Sequence, residues 1–369
     1  MLVGDKHYQS IWIDKSGPEI VRVIDQQKLP FFFEIRELRS VDDVFTAIRD
    51  LTLRGAPLIG AAGAFGMYLS ALEINSRTNV RHHIENAARY LKSSRPTAVN
   101  LQWAVDYVTA KLNLNDPPEK ISSSALDAAL EICETEKENC RMIGIHGLPL
   151  IREIAVRKKG KPVNILTHCN AGWLACIDYG TATAPVYLAH QEGIPVHVWV
   201  DETRPVNQGA RLTAWELGQA GVPHTVIADN TGGHLMQHQM VDLVIVGSDR
   251  TTKKGDVANK IGTYLKALAA ADNNVPFYVA LPSTSVDFSL ADGITGIPVE
   301  LRDENEVLTV TGLCDGEMKT VRISPEKSAG ANYAFDVTPA KYITGLITEK
   351  GICRAEEEEI RKMFSDKFI

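Results

Sequence analysis

Apolar positions along the chain follow two periods, and the change between them falls near residues 145–160. Before it, short strand-like runs at 10–14, 20–24 and 31–35 give way to helical spacing. Ser40 ahead of Asp42 and Asp43 marks a helix start, and Val41, Val44, Ile48 and Leu51 recur on one face. Further helical spacing covers 59–74, 81–92, 98–112 and 124–140. After the change, near-continuous apolar runs at 163–167, 196–200, 225–228, 243–247 and 277–281 alternate with helical stretches around 181–191, 210–220, 230–239 and 259–271. Apolar strands of that length, separated by helices, predict a parallel sheet covered on both faces. The expected fold class is α/β. A mainly helical N-terminal domain with a small β start is expected over 1–145, and a Rossmann-like parallel-sheet domain over 146–369. The basic run Arg157-Lys158-Lys159-Gly160-Lys161 reads as a helix end and the turn that follows it.

Composition changes that picture little. A chain of 369 residues, 44% hydrophobic and 23% charged, has ample material for a globular core, which excludes large-scale disorder. A net charge of −7 supplies no global attraction to nucleic acid or an anionic membrane, so a small molecule is the expected partner. The start MLVGDKHYQS lacks a signal peptide's apolar stretch, and a cytoplasmic location is expected. The six cysteines include no CxxC pair, which argues against a disulfide framework and a structural zinc site. Cys133 and Cys140 fall in a helical stretch and read as packing groups.

The strand ends carry the chemistry. The run at 163–167 stops at His168-Cys169-Asn170-Ala171-Gly172; the next three end in Asp201-Glu202-Thr203-Arg204, Asp229-Asn230 and Ser248-Asp249-Arg250. In an open parallel sheet these ends share one edge, where ligands bind, so a thiol, carboxylates and amides are expected to converge there. Each has a plainer alternative: a free cysteine is often a packing group, and an Asp after a strand is often a helix cap. The glycine fingerprint of dinucleotide binding does not follow the first of these strands, which removes the main support for a nicotinamide cofactor. In the first domain, Arg54-Gly55-Ala56-Pro57 sets a guanidinium beside a small-residue turn between helices. It is either an anion site at a helix N-terminus or a helix C-cap with an exposed arginine. Ser93-Ser94-Arg95-Pro96-Thr97 offers a second arginine at a turn.

These segments together with Gln208-Gly209-Ala210-Arg211-Leu212 and Asp256-Val257-Ala258-Asn259-Lys260-Ile261-Gly262-Thr263-Tyr264 resemble the methylthioribose-1-phosphate isomerase family. That family shares a superfamily with the regulatory subunits of initiation factor 2B and the ribose-1,5-bisphosphate isomerases. The match runs from Asp25-Gln26-Gln27-Lys28-Leu29-Pro30 to Ala334-Phe335-Asp336-Val337-Thr338-Pro339. The resemblance implies a homodimer and an aldose–ketose isomerisation of a sugar phosphate in methionine salvage, with no cofactor and no metal. It implies Cys169 and Asp249 as the catalytic pair, and Arg54, Gly55, Ala56, Pro57, Arg95, Gln208, Asn259 and Lys260 as substrate-binding residues. Where the family usually reads Val-Gly-Ala-Asp-Arg this chain has Ser248. Tyr333 stands for a proline, and Asn207 for an apolar residue. These departures leave 5-deoxyribose 1-phosphate as an alternative substrate, and a non-catalytic regulatory subunit as the rival from another class.

Two chemical expectations accompany the pair. A carboxyl kept protonated by burial can donate to the ring oxygen of an aldose 1-phosphate. A thiol beside His168, at the start of the helix expected after Cys169, would have its pKa lowered by the helix dipole. Cys176 would then lie two turns along that helix. Proton transfer and hydride transfer between C2 and C1 both remain open.

Overall fold

The computed structural model describes residues 1–14, 20–95 and 98–365; Pro96 and Thr97 of the second arginine turn lie outside them. The small β start is a three-stranded antiparallel sheet of β1 (Ile11–Ile13), β2 (Val21–Ile24) and β3 (Ile35–Leu38). The third strand begins at the last residue of the run expected to form it. Phe31 and Phe32 instead donate their amides to Lys28 O in a turn, at 3.1 and 3.0 Å.

Four helices follow: α1 (Val41–Arg49), α2 (Ala56–Leu72), α3 (Val80–Ser93) and α4 (Val99–Lys111). The start of α1 is fixed by a capping box in which Ser40 and Asp43 satisfy each other's backbone amides. Helix α2 is apolar almost all round, and buried accordingly: fifteen of its seventeen residues are in the core.

The helix expected to end near Cys140 continues for another eighteen residues, as α5 (Pro118–Lys158). Beyond Cys140, a Cβ at Gly144 would press on Ala184 and Leu188, and one at Gly147 on Pro185, at about 3.0–3.1 Å. The two glycines are contact points for α6 (Ala184–Gln191). The division expected after residue 145 therefore falls inside a helix. Its first half, through Cys133, belongs to the core of α1–α4; its second half, from Ile143, belongs to the core under the large sheet. Lys159 ends it in a left-handed conformation, at the basic run.

The large sheet contains β4 (Val163–Thr167), β5 (Val196–Asp201), β6 (His224–Ile227), β7 (Leu243–Val246), β10 (Phe277–Ala280), β15 (Gly345–Thr348) and β16 (Gly351–Cys353). Its order is β16-β15-β10-β7-β4-β5-β6; every neighbouring pair is parallel except β15–β16. The first six strands thus follow the Rossmann order 3-2-1-4-5-6. A second sheet of four strands, β11 (Val286–Asp287), β8 (Arg250–Thr252), β9 (Val257–Lys260) and β14 (Phe335–Thr338), stands beyond the end of β7, and β12 (Thr309–Cys314) and β13 (Glu317–Arg322) form a separate antiparallel pair. The helix expected from residue 259 begins only at Thr263, because Val257–Lys260 pairs with Phe335–Thr338 as a strand. No helix among the described residues is long and apolar enough to cross a membrane.

Candidate active site

The strand order reverses between β4 and β7, which are hydrogen-bonded neighbours with Ile165 opposite Leu243 and Leu166 opposite Val244. A crevice opens at such a switch point because the two connections leave the sheet in opposite directions. Cys169 lies two residues beyond β4, and Asp249 three beyond β7. All ten residues anticipated for the site line the pocket there: Arg54, Gly55, Ala56, Pro57, Arg95, Cys169, Gln208, Asp249, Asn259 and Lys260. The pocket is partly open to solvent, and its lining mixes charged and amide groups with apolar ones such as Ala171, Val206 and Phe335, as small-molecule sites do.

No helix starts at Cys169. The residue has φ +68°, a left-handed conformation that a non-glycine residue holds only under constraint. The constraint is visible on both sides: Cys169 N donates to Thr203 Oγ1 at 2.8 Å, and Thr213 Oγ1 donates to Cys169 O at 2.7 Å. The segment beyond it is held by Glu216, which is buried and accepts from the amides of Trp173 and Leu174 and from Asn170 Nδ2. Only a three-residue 3-10 turn, Trp173–Ala175, follows, and it brings Cys176 round to line the same pocket as Cys169. Cys176 is also a neighbour of Cys140 on α5, whose thiol pKa is raised by Cys176 and by burial.

The absence of that helix removes the dipole that would have lowered the Cys169 thiol. Burial instead pushes it up to about 11, against the opposing pull of Lys260 and Arg54 and with the help of Asp249. Burial likewise raises Asp249, although Arg95 and Lys260 pull it down. Both groups are therefore biased toward their protonated forms. The Lys260 ammonium is lowered by burial and supported by Cys169 and Asp249; it lies 4.9 Å from the ring centre of Phe335.

The cationic wall comes from the helical domain. Gly55 is the N-cap of α2, and Arg54 is 7% exposed, so the turn is a helix start with a buried arginine and not a C-cap. A Cβ at Gly55 would stand 2.3 Å from Ala175 O, which shows how closely the turn meets the loop after Cys169. Arg54 NH2 donates to Gln26 O at 3.1 Å, whereas its Nε and NH1 are buried with no partner in the protein. Burial pushes this guanidinium down to about 9. Gln208 Oε1 is similarly buried and unpartnered. Buried polar groups left open in this way are rare unless something else binds them. Asn207, beside Gln208, has φ +60°, a conformation that asparagine tolerates better than an apolar side chain.

Two anticipated carboxylates serve the scaffold. Asp229 accepts from the amides of Thr203 and Arg204 at 2.7 and 2.8 Å. Asp201 Oδ2 accepts from His168 Nδ1 at 2.8 Å and from Lys266 Nζ at 3.1 Å. Neither lines the pocket. His168, Asp201 and Asp229 bring ligand-type atoms within 4.8 Å of one another. Lys266 already supplies a cation there, and imidazole and amide donors occupy three of the four carboxylate oxygens, leaving Asp201 Oδ1 buried without a partner. Arg302 also lines the pocket and was not anticipated. It sits in the charged stretch 300–306, which has no strand end or glycine turn to mark it out from a solvated surface.

The profile of the initiation factor 2 subunit family matches residues 52–355. A methylthioribose-1-phosphate isomerase of Desulfatibacillum aliphaticivorans is 58% identical over 367 residues, covering 100% of each chain. Among solved structures, the 5-methylthioribose 1-phosphate isomerase of Pyrococcus horikoshii OT3 superposes with a TM-score of 0.83 at 37% identity, covering 98% of this chain and 97% of that one. The translation initiation factor eIF-2B subunit delta of A. fulgidus superposes at 0.80 and 36% identity, covering 97% and 100%.

Proposed function

The chain belongs to the methylthioribose-1-phosphate isomerase family, within the initiation factor 2 subunit family, and from that membership we propose how its pocket works. It is an aldose–ketose isomerase that converts S-methyl-5-thio-ribose 1-phosphate to S-methyl-5-thio-ribulose 1-phosphate. The observation that carries this reading is the pairing of a thiol and a carboxyl, both held toward the protonated form, opposite a buried guanidinium with two unpartnered nitrogens.

Phosphate on the anomeric oxygen prevents free ring opening, so the ring oxygen must be protonated as its bond to C1 breaks. The Asp249 carboxyl supplies that proton, and the carboxylate left behind takes the proton from C2, giving an enediol phosphate. The Cys169 thiol then protonates C1, and the proton of the C2 hydroxyl returns to sulfur as the ketone forms. Each group ends in its starting state, so no co-reactant is consumed. The enzyme's share of the barrier is proton transfer by positioned acids, worth about 10²–10⁴ for each group. Arg54 and Arg95 meet the phosphate with the α2 N-terminus, whose free amides and dipole favour an anion. Gln208, Asn259 and Lys260 hold the sugar hydroxyls.

Purified protein offered methylthioribose 1-phosphate, 5-deoxyribose 1-phosphate and ribose 1,5-bisphosphate is expected to turn over the first best. Preference for the second would make the chain the 5-deoxy paralogue, a substrate separated by only ~1–3 kcal/mol in an apolar subsite. Turnover of none would favour a regulatory subunit. The same reading makes the protein a cytoplasmic homodimer, in line with its unpaired cysteines and its sequence resemblance. A monomer mass at sedimentation equilibrium would remove the dimer.

A further inference from the structure

Behind two arginines of the pocket stands an anion that the reaction does not use. Glu300 lies between two arginines that both line the pocket: its Oε2 accepts from Arg95 Nε at 3.4 Å, and its Oε1 from Arg302 NH1 at 3.0 Å. The three side chains are 13%, 20% and 17% exposed, so water screens them only in part. Arg302 is gripped a second time by Glu306, through Nε and NH2 at 2.6–3.2 Å. Glu306 is itself fixed by Asn332 Nδ2 at 2.7 Å.

The two contacts of Glu300 are unequal. The pair with Arg95 is a single long contact, whereas the bond to Arg302 is shorter, at 3.0 Å, and ends on a guanidinium that Glu306 holds through three further bonds. Of the two, the Arg95 contact is the one that yields. When it does, Glu300 still has Arg302, so no partly buried carboxylate is left bare, which would otherwise oppose the exchange. We infer that Glu300 is a positioning residue: its carboxylate occupies Arg95 in the empty site and gives up that guanidinium to the substrate's phosphate while staying paired with Arg302.

This arrangement has a second consequence. Asp249 faces Arg95 from the turn after α3, Lys260 from β9, Cys169 beyond β4, and Glu300 itself. An arginine with no other anion would stabilise the Asp249 carboxylate, the form that cannot donate. Glu300 both engages Arg95 and adds a negative charge that supports the protonated carboxyl.

The inference rests on the reading that Arg95 meets the phosphate, and binding of inorganic phosphate measured by calorimetry separates the two. Glu300→Gln is expected to bind phosphate about two- to fivefold tighter than wild type, the range for releasing one partly exposed ion pair. Arg95→Gln is expected to bind it more weakly, and the double variant no tighter than Arg95→Gln. Loss of the Glu300 charge is also expected to move the alkaline limb of kcat/KM to lower pH, a shift that a purely structural role would not produce. If Glu300→Gln proves unfoldable, Glu300→Asp keeps the charge for Arg302 while drawing it back from Arg95, and is expected to shift affinity in the same direction. Phosphate affinity unchanged in Arg95→Gln would remove the reading of Arg95 and this inference with it. Affinity lowered in Arg95→Gln but unchanged or lowered in Glu300→Gln would overturn the inference alone.

Discussion

Asp249→Asn is expected to lower kcat by about 10³-fold or more while leaving the protein folded. Asparagine matches the shape of aspartate but has no acidic proton for the ring oxygen, and a positioned general acid contributes about 10²–10⁴. The backbone stays in place because Asp249 N donates to Ala258 O at 3.0 Å, a bond the substitution does not touch. Stability gives a control with a definite sign. The folded-state pKa of Asp249 is raised, so the native chain holds this proton more tightly than the unfolded chain does, and the carboxyl costs stability once pH climbs above its ordinary range. At pH 8 the Asn variant is therefore expected to melt at the same temperature as wild type or higher. A large loss of activity beside a lower melting temperature would point to misfolding and away from lost acid catalysis.

The same shift sets a pH dependence. Because the free enzyme must carry a protonated Asp249, kcat/KM is expected to fall as pH rises through the raised pKa. The limb should lie above the ordinary carboxylate range and be absent from the residual activity of Asp249→Asn. A limb that persists unchanged in that variant would assign the titration to another group.

The parallel sheet was legible in the sequence because its central strands are buried on both faces. Leu243–Val246 is apolar at every position, and the run at 163–167 coincides with β4. The ends of β4 and β7 were legible for the same reason: a polar residue directly after such a run has few places to be except the sheet edge. Three features were hidden, each because tertiary contact overrode a local signal. The helical spacing from 124 reads as ending at 140, but Gly144 and Gly147 permit close packing on α6, so α5 continues to Lys158. Asn259 and Lys260 are polar residues in a fully buried strand, which no period-two pattern reveals; pairing with β14 determines it. The expected helix after Cys169 is replaced by a loop tied to Glu216, Thr203 and Thr213, residues 34–47 positions away in sequence. That last difference reverses an electrostatic conclusion, from a thiol lowered by a helix dipole to one raised by burial.

Cys169→Ser tests what that raised thiol does, and is expected to reduce kcat by about 10²–10⁴. Serine is the informative replacement because it is the closest in shape. It has the same Cβ, so it meets the same cost at φ +68° and keeps the bonds from the backbone to Thr203 and Thr213. Its melting temperature should accordingly stay close to that of wild type. What changes is proton affinity: a hydroxyl is a far weaker acid than even a thiol pushed up to about 11, so delivery of the C1 proton slows. Substrate labelled with deuterium at C2 tells whether the hydrogen moves as a proton. In the scheme proposed here the C2 proton passes to Asp249, while C1 is protonated from Cys169, so wild-type product should carry solvent hydrogen at C1 and have lost most of the label. Full retention of deuterium at C1 would mean that the C2 hydrogen itself reaches C1, as hydride or on one base shielded from water, and would remove Cys169 as the donor to C1. Near-normal turnover by Cys169→Ser would remove the thiol from proton transfer altogether, leaving Asp249 as the only acid the pocket needs.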